Sequence, residues 1–143
     1  MTVYLDTSCL LKVFFPEPET ARTLALVAAE SQVIVSSLAR LETLSQIHAR
    51  VAGGLLSPAR ARRLRQRVEA VLQLAPYEQV SCPADVIDVA AAQINFSKTG
   101  YCRTLDRLHL AMMHALGLQR LLTNDGTQAA AARALGMEVL LPR

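Results

Sequence analysis

Apolar positions follow two rhythms along this chain, and the rhythms alternate. Short unbroken runs of strand length occur at Val3-Tyr4-Leu5, at Gln32-Val33-Ile34-Val35, at Leu118 to Leu122 and at Glu138 to Leu141, with a weaker one at Gln79-Val80-Ser81. Between them lie stretches with apolar residues three or four apart. Thr7 to Phe15 predicts a short helix halted by Pro16 and Pro18, and Pro18 suits the first turn of a second helix running to about Glu30. Ser36 or Ser37 can cap a third helix, with Leu38, Leu41, Leu44, Ile47, His48 and Val51 at helical spacing and Gly53-Gly54 as its stop. Ser57-Pro58 starts a fourth, with Leu64, Val68, Val71 and Leu72 as its stripe.

Pro83-Ala84-Asp85 opens a fifth helix that runs through Ala90–Ala92 and ends near Gly100. Thr104 can cap a sixth from Leu105 to Leu116, with Gly117 as a left-handed stop. An Ala-rich helix from Thr127 to Leu135 ends at Gly136. Strands alternating with helices imply parallel pairing with helices on both faces. The expected fold is a three-layer α/β/α sandwich around a parallel sheet of about five strands. No linker or repeat divides it, so residues 1–143 read as one domain.

Composition narrows the class. Hydrophobic residues are 52% of the chain and aromatics 4%, so the core is aliphatic. No apolar stretch nears the roughly 20 residues of a membrane span, and the N-terminus lacks a signal-peptide pattern, so a soluble cytoplasmic protein is expected. Cys9, Cys82 and Cys102 are widely spaced, which argues against a disulfide framework or zinc site. Net charge is +3, but Arg60, Arg62, Arg63, Arg65 and Arg67 crowd one segment. Such a cluster suits an anionic partner, and equally a solvated helix face.

The candidate chemistry lies in the acids. Asp6 directly follows the first strand and Asp125 the fourth. Glu42 lies early in the helix after the second strand, and Asp106 in the first turn of the sixth helix. If the first strand lies between the second and the fourth, all four can reach the carboxyl edge of the sheet, where open α/β folds place their sites. Each has a plainer reading: Asp6 as a helix cap, Asp106 as a charge opposing the helix dipole, Asp125 as a turn residue, Glu42 as an exposed helix position. Carboxylates brought together repel unless a cation joins them, and hard oxygen donors suit Mg²⁺ or Mn²⁺. His109 and His114 are five apart, off the spacing that puts two ligands on one helix face, so the histidines, His48 included, read as packing or surface residues.

Four local words carry a resemblance. Tyr-Leu-Asp-Thr-Ser-Cys-Leu-Leu-Lys at the N-terminus, Ser-Ser-Leu-Ala-Arg-Leu-Glu ending at Glu42, Arg-Thr-Leu-Asp-Arg-Leu-His-Leu-Ala around Asp106 and Leu-Leu-Thr-Asn-Asp-Gly around Asp125 resemble the PIN-domain nucleases. More narrowly, they look like VapC-type ribonuclease toxins of type II toxin–antitoxin modules. The resemblance spans nearly the whole chain and implies strand order 3-2-1-4-5. It implies Asp6, Glu42, Asp106 and Asp125 as the acidic site, with Asp6, Asp106 and Asp125 as metal ligands and Thr7, Ser8 and Thr123 as flanking hydroxyls. Some members carry a further acid where this chain has Thr127, Gln128 and Ala129.

The implied activity is Mg²⁺- or Mn²⁺-dependent hydrolysis of RNA, with Arg40, Arg103 and Arg107 placed near the acids in sequence as candidate phosphate contacts. The implied partners are an RNA substrate, a small antitoxin laid in a groove and a second copy in a homodimer; the Leu55–Leu74 segment, with its apolar stripe beside the arginines, suits half of that groove, and equally a core helix. A PIN-type nuclease of RNA processing or DNA metabolism, and a catalytically silent scaffold that binds RNA or protein, remain as alternatives. A phosphoacceptor receiver domain needs an acid at the end of the third strand, where this chain has Ser81-Cys82.

Overall fold

The apolar runs are strands, and their pairing settles where the polar residues after them meet. The computed structural model describes residues 1–143. Five strands, β1 (Thr2–Leu5), β2 (Gln32–Ser36), β3 (Tyr77–Val80), β4 (Arg120–Leu122) and β5 (Glu138–Leu140), form one parallel sheet in the order β3-β2-β1-β4-β5. This is the expected order.

Side chains alternate across the pleat, so each strand feeds two cores. Val3, Leu5, Val33, Val35 and Leu122 pack on one face against α1 (Thr7–Phe14), α2 (Thr20–Ala28), α3 (Ser37–Ala52) and α4 (Pro58–Leu72). Tyr4, Ile34 and Leu121 point to the other face, toward α5 (Val86–Asn95), α6 (Thr104–Ala115) and α7 (Gly126–Ala134). Burying a Leu or Val side chain this way contributes about 1.5–3 kcal/mol. Cys9 and Cys102 are buried within these cores, and burial pushes the Cys9 thiol up to about 12. No helix is long and apolar enough to cross a membrane.

Local chemistry sets the helix ends. Asp6, Ser36, Ser57 and Asp125 each accept a bond from a backbone N–H in the first turn of α1, α3, α4 and α7. Gly117, at φ 68°, takes the left-handed conformation that turns the chain out of α6 toward β4.

Several expectations shift: α5 ends at Asn95 rather than near Gly100, and α2 begins at Thr20, beyond Pro18. Thr104 is the first residue of α6 rather than its cap; Arg103 holds the cap position with no side-chain bond. Leu41 is 63% exposed, because α3 turns the smaller Ala39 and Thr43 toward the core. The β3 strand begins at Tyr77, two residues before the expected run, since this edge strand exposes Glu78 and Gln79 and lacks a continuous apolar signal.

The register carries the consequence for chemistry. Leu5 pairs with Leu122, so Asp6 and Thr123 emerge side by side from β1 and β4, and the Asp6 amide donates to the Leu122 carbonyl at 3.0 Å.

Candidate active site

The site forms where β1, β2 and β4 end and α1, α3, α6 and α7 begin. A cleft of about 180 Å³ is lined there by Asp6, Thr7, Ser8, Leu11, Glu42, Gln46, Arg103, Asp106 and Asp125. All four candidate acids are therefore in one place. Two larger clefts, of about 360 and 600 Å³, lie along α5 and are lined mainly by apolar residues without an acid. Charge and oxygen donors gather in the smaller cleft, which makes it the candidate site.

Asp6 is 2% exposed and closely held. Its Oδ2 accepts from the Ser8 hydroxyl at 2.6 Å and the Ser8 amide at 3.1 Å, with the Thr123 hydroxyl also 3.1 Å away. Its Oδ1 accepts from Gln128 Nε2 at 3.1 Å. Capping explains the amide bond. It does not explain three further donors drawn from α1, the end of β4 and α7.

Asp106 lies in the first turn of α6 with its side chain 13% exposed. Burial raises its pKa above the usual carboxylate value; the Arg103 hydrogen bond lowers it, and the Asp6 and Asp125 charges raise it further. Arg103 Nε sits 3.2 Å from Asp106 Oδ2, and its Nη2 sits 3.5 Å from Asp125 Oδ2. One exposed guanidinium thus spans two carboxylates, a sign of negative charge in want of a cation.

Whether the donors fit a metal ion can be judged from their chemistry. The cleft offers carboxylate oxygens and no thiolate, and the nearby imidazole has both nitrogens engaged, which suits a hard divalent cation. No three His, Cys, Asp or Glu side chains converge closely enough here to coordinate one ion. Asp6 is held by protein donors, and Arg103 spans Asp106 and Asp125. The donors of the cleft fit such an ion by composition.

The expected flanking hydroxyls divide their work. Ser8 and Thr123 serve Asp6, whereas Thr7 donates to Glu42 Oε1 at 2.8 Å. Of the three arginines, Arg103 alone lines the cleft. Arg40 pairs with Glu69 of α4 at 2.6 Å. Arg107 is 3% exposed and donates to the Gly100 carbonyl at 2.6 Å. A buried guanidinium holding a loop carbonyl is not available to a phosphate, which corrects that expectation.

Two residues take part that the sequence does not assign to the site: Gln128, and His109, expected to be a packing or surface residue. Gln128, at 0% exposure, links Asp6 to the Asp106 carbonyl, which its Nε2 reaches at 3.3 Å. His109, also fully buried, lies with Nε2 2.5 Å from Glu42 Oε1. Burial alone would lower the His109 pKa; the Glu42 hydrogen bond and the charges of Asp6, Glu42 and Asp106 outweigh it, and the net shift is upward. His48 and His114 are surface residues, as expected.

Comparison with known proteins agrees with the fold. The PIN domain family matches residues 3–134. Ribonuclease VapC46 of Mycobacterium tuberculosis (strain ATCC 25618 / H37Rv) is 32% identical over 142 residues, covering 98% of this chain and 97% of that protein. The crystal structure of M. tuberculosis VapC20, described as a Sarcin-Ricin loop cleaving toxin, superposes with a TM-score of 0.69 at 19% identity, over 90% of this chain and 94% of that one. VapBC2 from Rickettsia felis, bound to a DNA fragment from their promoter, gives 0.68 at 14% identity, over 99% and 98%.

Proposed function

The chain belongs to the PIN-domain family, and from that premise we propose that it is a divalent-metal-dependent endoribonuclease acting as the toxin of a type II toxin–antitoxin pair. The observation that carries the reading is the meeting of Asp6, Asp106 and Asp125 in one cleft at the carboxyl edge of the sheet. The 32% identity to a ribonuclease over nearly the full chain supports the substrate class.

Asp6 and Asp106 would hold Mg²⁺ or Mn²⁺, with Asp125 as the third carboxylate. A divalent ion bound there supplies positive charge opposite the scissile phosphate and acidifies a water. Ser8, Thr123 and Gln128 keep Asp6 from rotating away. Glu42, with Asp125, orients the attacking water and takes its proton as the water oxygen bonds to phosphorus. The P–O3′ bond breaks, leaving a 3′-hydroxyl after protonation and a 5′-phosphate on the other fragment. Arg103 is 76% exposed beside the acids and suits a neighbouring RNA phosphate.

The direct test is RNA cleavage by purified protein in Mg²⁺, Mn²⁺ or EDTA, beside Asp6→Asn and Asp106→Asn. Wild-type cleavage only with metal, and none by the variants, is the expected result. Undiminished cleavage by either variant would sink the assignment.

Two partners follow. A small antitoxin would lie along the Leu55–Leu74 segment, where Leu55 and Leu74 are 78% and 63% exposed and all five clustered arginines face solvent. Paired Arg→Glu changes on α4 should weaken its capture in a pull-down; unchanged capture excludes that segment. A second copy would cover the apolar α5 surface, where Ile87 and Ile94 are each 64% exposed and Tyr101 is 81% exposed. Ile94→Glu should then give a monomer by light scattering, and an unaltered mass excludes that face. The site of action proposed is the cytoplasm, where an RNA substrate is met.

A further inference from the structure

His109 lies on α6 one turn beyond Asp106, wholly removed from solvent. An imidazole is tolerated there because both ring nitrogens are matched. Nδ1 is 2.6 Å from the Tyr4 hydroxyl, and Nε2 is 2.5 Å from Glu42 Oε1. A carboxylate only accepts, so Nε2 carries the hydrogen in that bond. The Tyr4 ring meets the imidazole edge-on, with centroids 5.7 Å apart. The Tyr4 hydroxyl also lies 2.9 Å from Ser36 Oγ, the cap of α3, and its one hydrogen serves either Ser36 or His109 Nδ1.

The connection thus leaves α3 at its cap, crosses β1 through Tyr4 and α6 through His109, and returns to α3 at Glu42. A purely structural core would be filled more simply by apolar side chains, which need no partners. This one is polar along its length, and its free end is an acid of the cleft. Thr7 donates to the same Oε1 at 2.8 Å, so both restraints fall on one oxygen, and Oε2 makes no hydrogen bond within the chain.

We propose that His109 is a positioning residue: braced by Tyr4, it fixes the Glu42 carboxylate through Oε1 and leaves Oε2 to act on the attacking water. The inference rests on the nuclease reading above. Its value to the reaction is preorganisation, because a glutamate already held in place loses no rotamer freedom when the water is engaged.

The test is single-turnover RNA cleavage by the metal-loaded enzyme carrying His109→Leu, His109→Gln or Tyr4→Phe, each alone and combined with Glu42→Gln. Glutamine offers an amide N–H near the place of Nε2, whereas leucine fills the volume without a donor. We expect His109→Leu to lower the cleavage rate about 10–100-fold with the half-saturating RNA concentration changed by less than about two-fold. His109→Gln should recover most of that loss, and Tyr4→Phe should lose less than His109→Leu. Beside Glu42→Gln, none of the three should lower the rate further.

Nitrogen-15 NMR of the histidine rings in the metal-free chain supplies a second readout. The His109 Nε2–H resonance should move in Glu42→Gln and the Nδ1 resonance in Tyr4→Phe. A full rate in His109→Leu, equal losses in His109→Leu and His109→Gln, or losses that simply multiply with Glu42→Gln would each overturn the proposal. Should His109→Leu not fold, Tyr4→Phe and the NMR shifts decide it, and unmoved resonances overturn it. Asp6→Asn assayed alongside separates the two claims. Cleavage by that variant defeats the nuclease reading, whereas its inactivity beside a fully active His109→Leu defeats the positioning role alone.

Discussion

Gln128 Nε2 donates to Asp6 Oδ1 at 3.1 Å, joining the first turn of α7 to the residue that ends β1. The amide is placed to do this because its Oε1 lies 2.8 Å from the Thr123 hydroxyl, whose single hydrogen is shared between Gln128 and Asp6, and its second N–H points to the Asp106 carbonyl. An amide, unlike an acid, donates to the Asp6 carboxylate without adding charge.

Replacing that amide by a carboxylate tests the point. Gln128→Glu removes a donor and sets a second anion against Asp6 at a fully buried position. In EDTA the variant should be less stable by about 2–4 kcal/mol. Mn²⁺ should restore part of the loss, since two carboxylates that repel can share a cation. Thermal unfolding with and without Mn²⁺ measures both effects. Equal melting of the variant and wild type in EDTA would mean that the Asp6 bond contributes nothing.

Asp106 should trade stability for function. Its raised pKa, from burial first and then the Asp6 and Asp125 charges, means that the folded metal-free protein holds this carboxylate less readily in its charged form. A raised folded pKa adds stability only below the ordinary carboxylate value and withdraws it as pH rises through the folded one. Asp106→Asn should therefore melt at or slightly above the wild-type temperature at pH 7.5 in EDTA, by at most about 2–4 °C. Added Mg²⁺ or Mn²⁺ should raise the wild-type midpoint and leave the variant's unmoved. Equal metal stabilisation of both proteins would remove Asp106 from the ligand set.

Arg103 and Arg107 are four residues apart in sequence and opposite in circumstance. Arg103→Ala should raise the KM for RNA several-fold, and the slope of log affinity against log salt should fall by about 0.7 for one lost phosphate contact to a single strand. Arg107→Lys should leave that slope unchanged and lower the melting temperature, because lysine lacks the planar fork that reaches Gly100 and Gln93 together. Titration of RNA binding at several salt concentrations checks both. An unchanged slope in Arg103→Ala would take that side chain out of the interface.

How far the sequence reached depends on the range of each signal. The β1, β2 and β4 strands were legible because buried parallel strands are continuous apolar runs. Asp6, Asp106 and Asp125 were legible because each stands at an element boundary, and Glu42 because it lies early in the helix after β2. Edge strand β3 was misplaced by two residues because it is half solvated. His109 and Gln128 could not be found this way. Their partners Glu42 and Asp6 lie 67 and 122 residues away, and spacing along one helix carries no trace of a contact made across the sheet. The same limit misled the reading of Arg107, whose closeness to Asp106 in sequence hides that it turns inward.

A last prediction concerns stability at the opposite end of the sheet. Glu30, with its side chain 7% exposed, pairs with Arg120 Nη1 at 2.7 Å, tying the segment after α2 to β4. The Arg120 hydrogen bond, stronger than the opposing burial and helped by the Arg120 charge and the N-terminal ammonium, holds the Glu30 pKa below its ordinary 4.5. A lowered carboxylate pKa stabilises the fold above the unfolded value, and that contribution is lost as pH falls through the folded one. Glu30→Gln keeps the shape and drops the charge, so it should cost about 1–3 kcal/mol at pH 7. The gap between wild type and variant should stay level down to about pH 5 and close below about pH 4. Denaturant unfolding of both proteins across that range measures it, and a gap that widened on acidification would show that Glu30 is not held as an anion by Arg120.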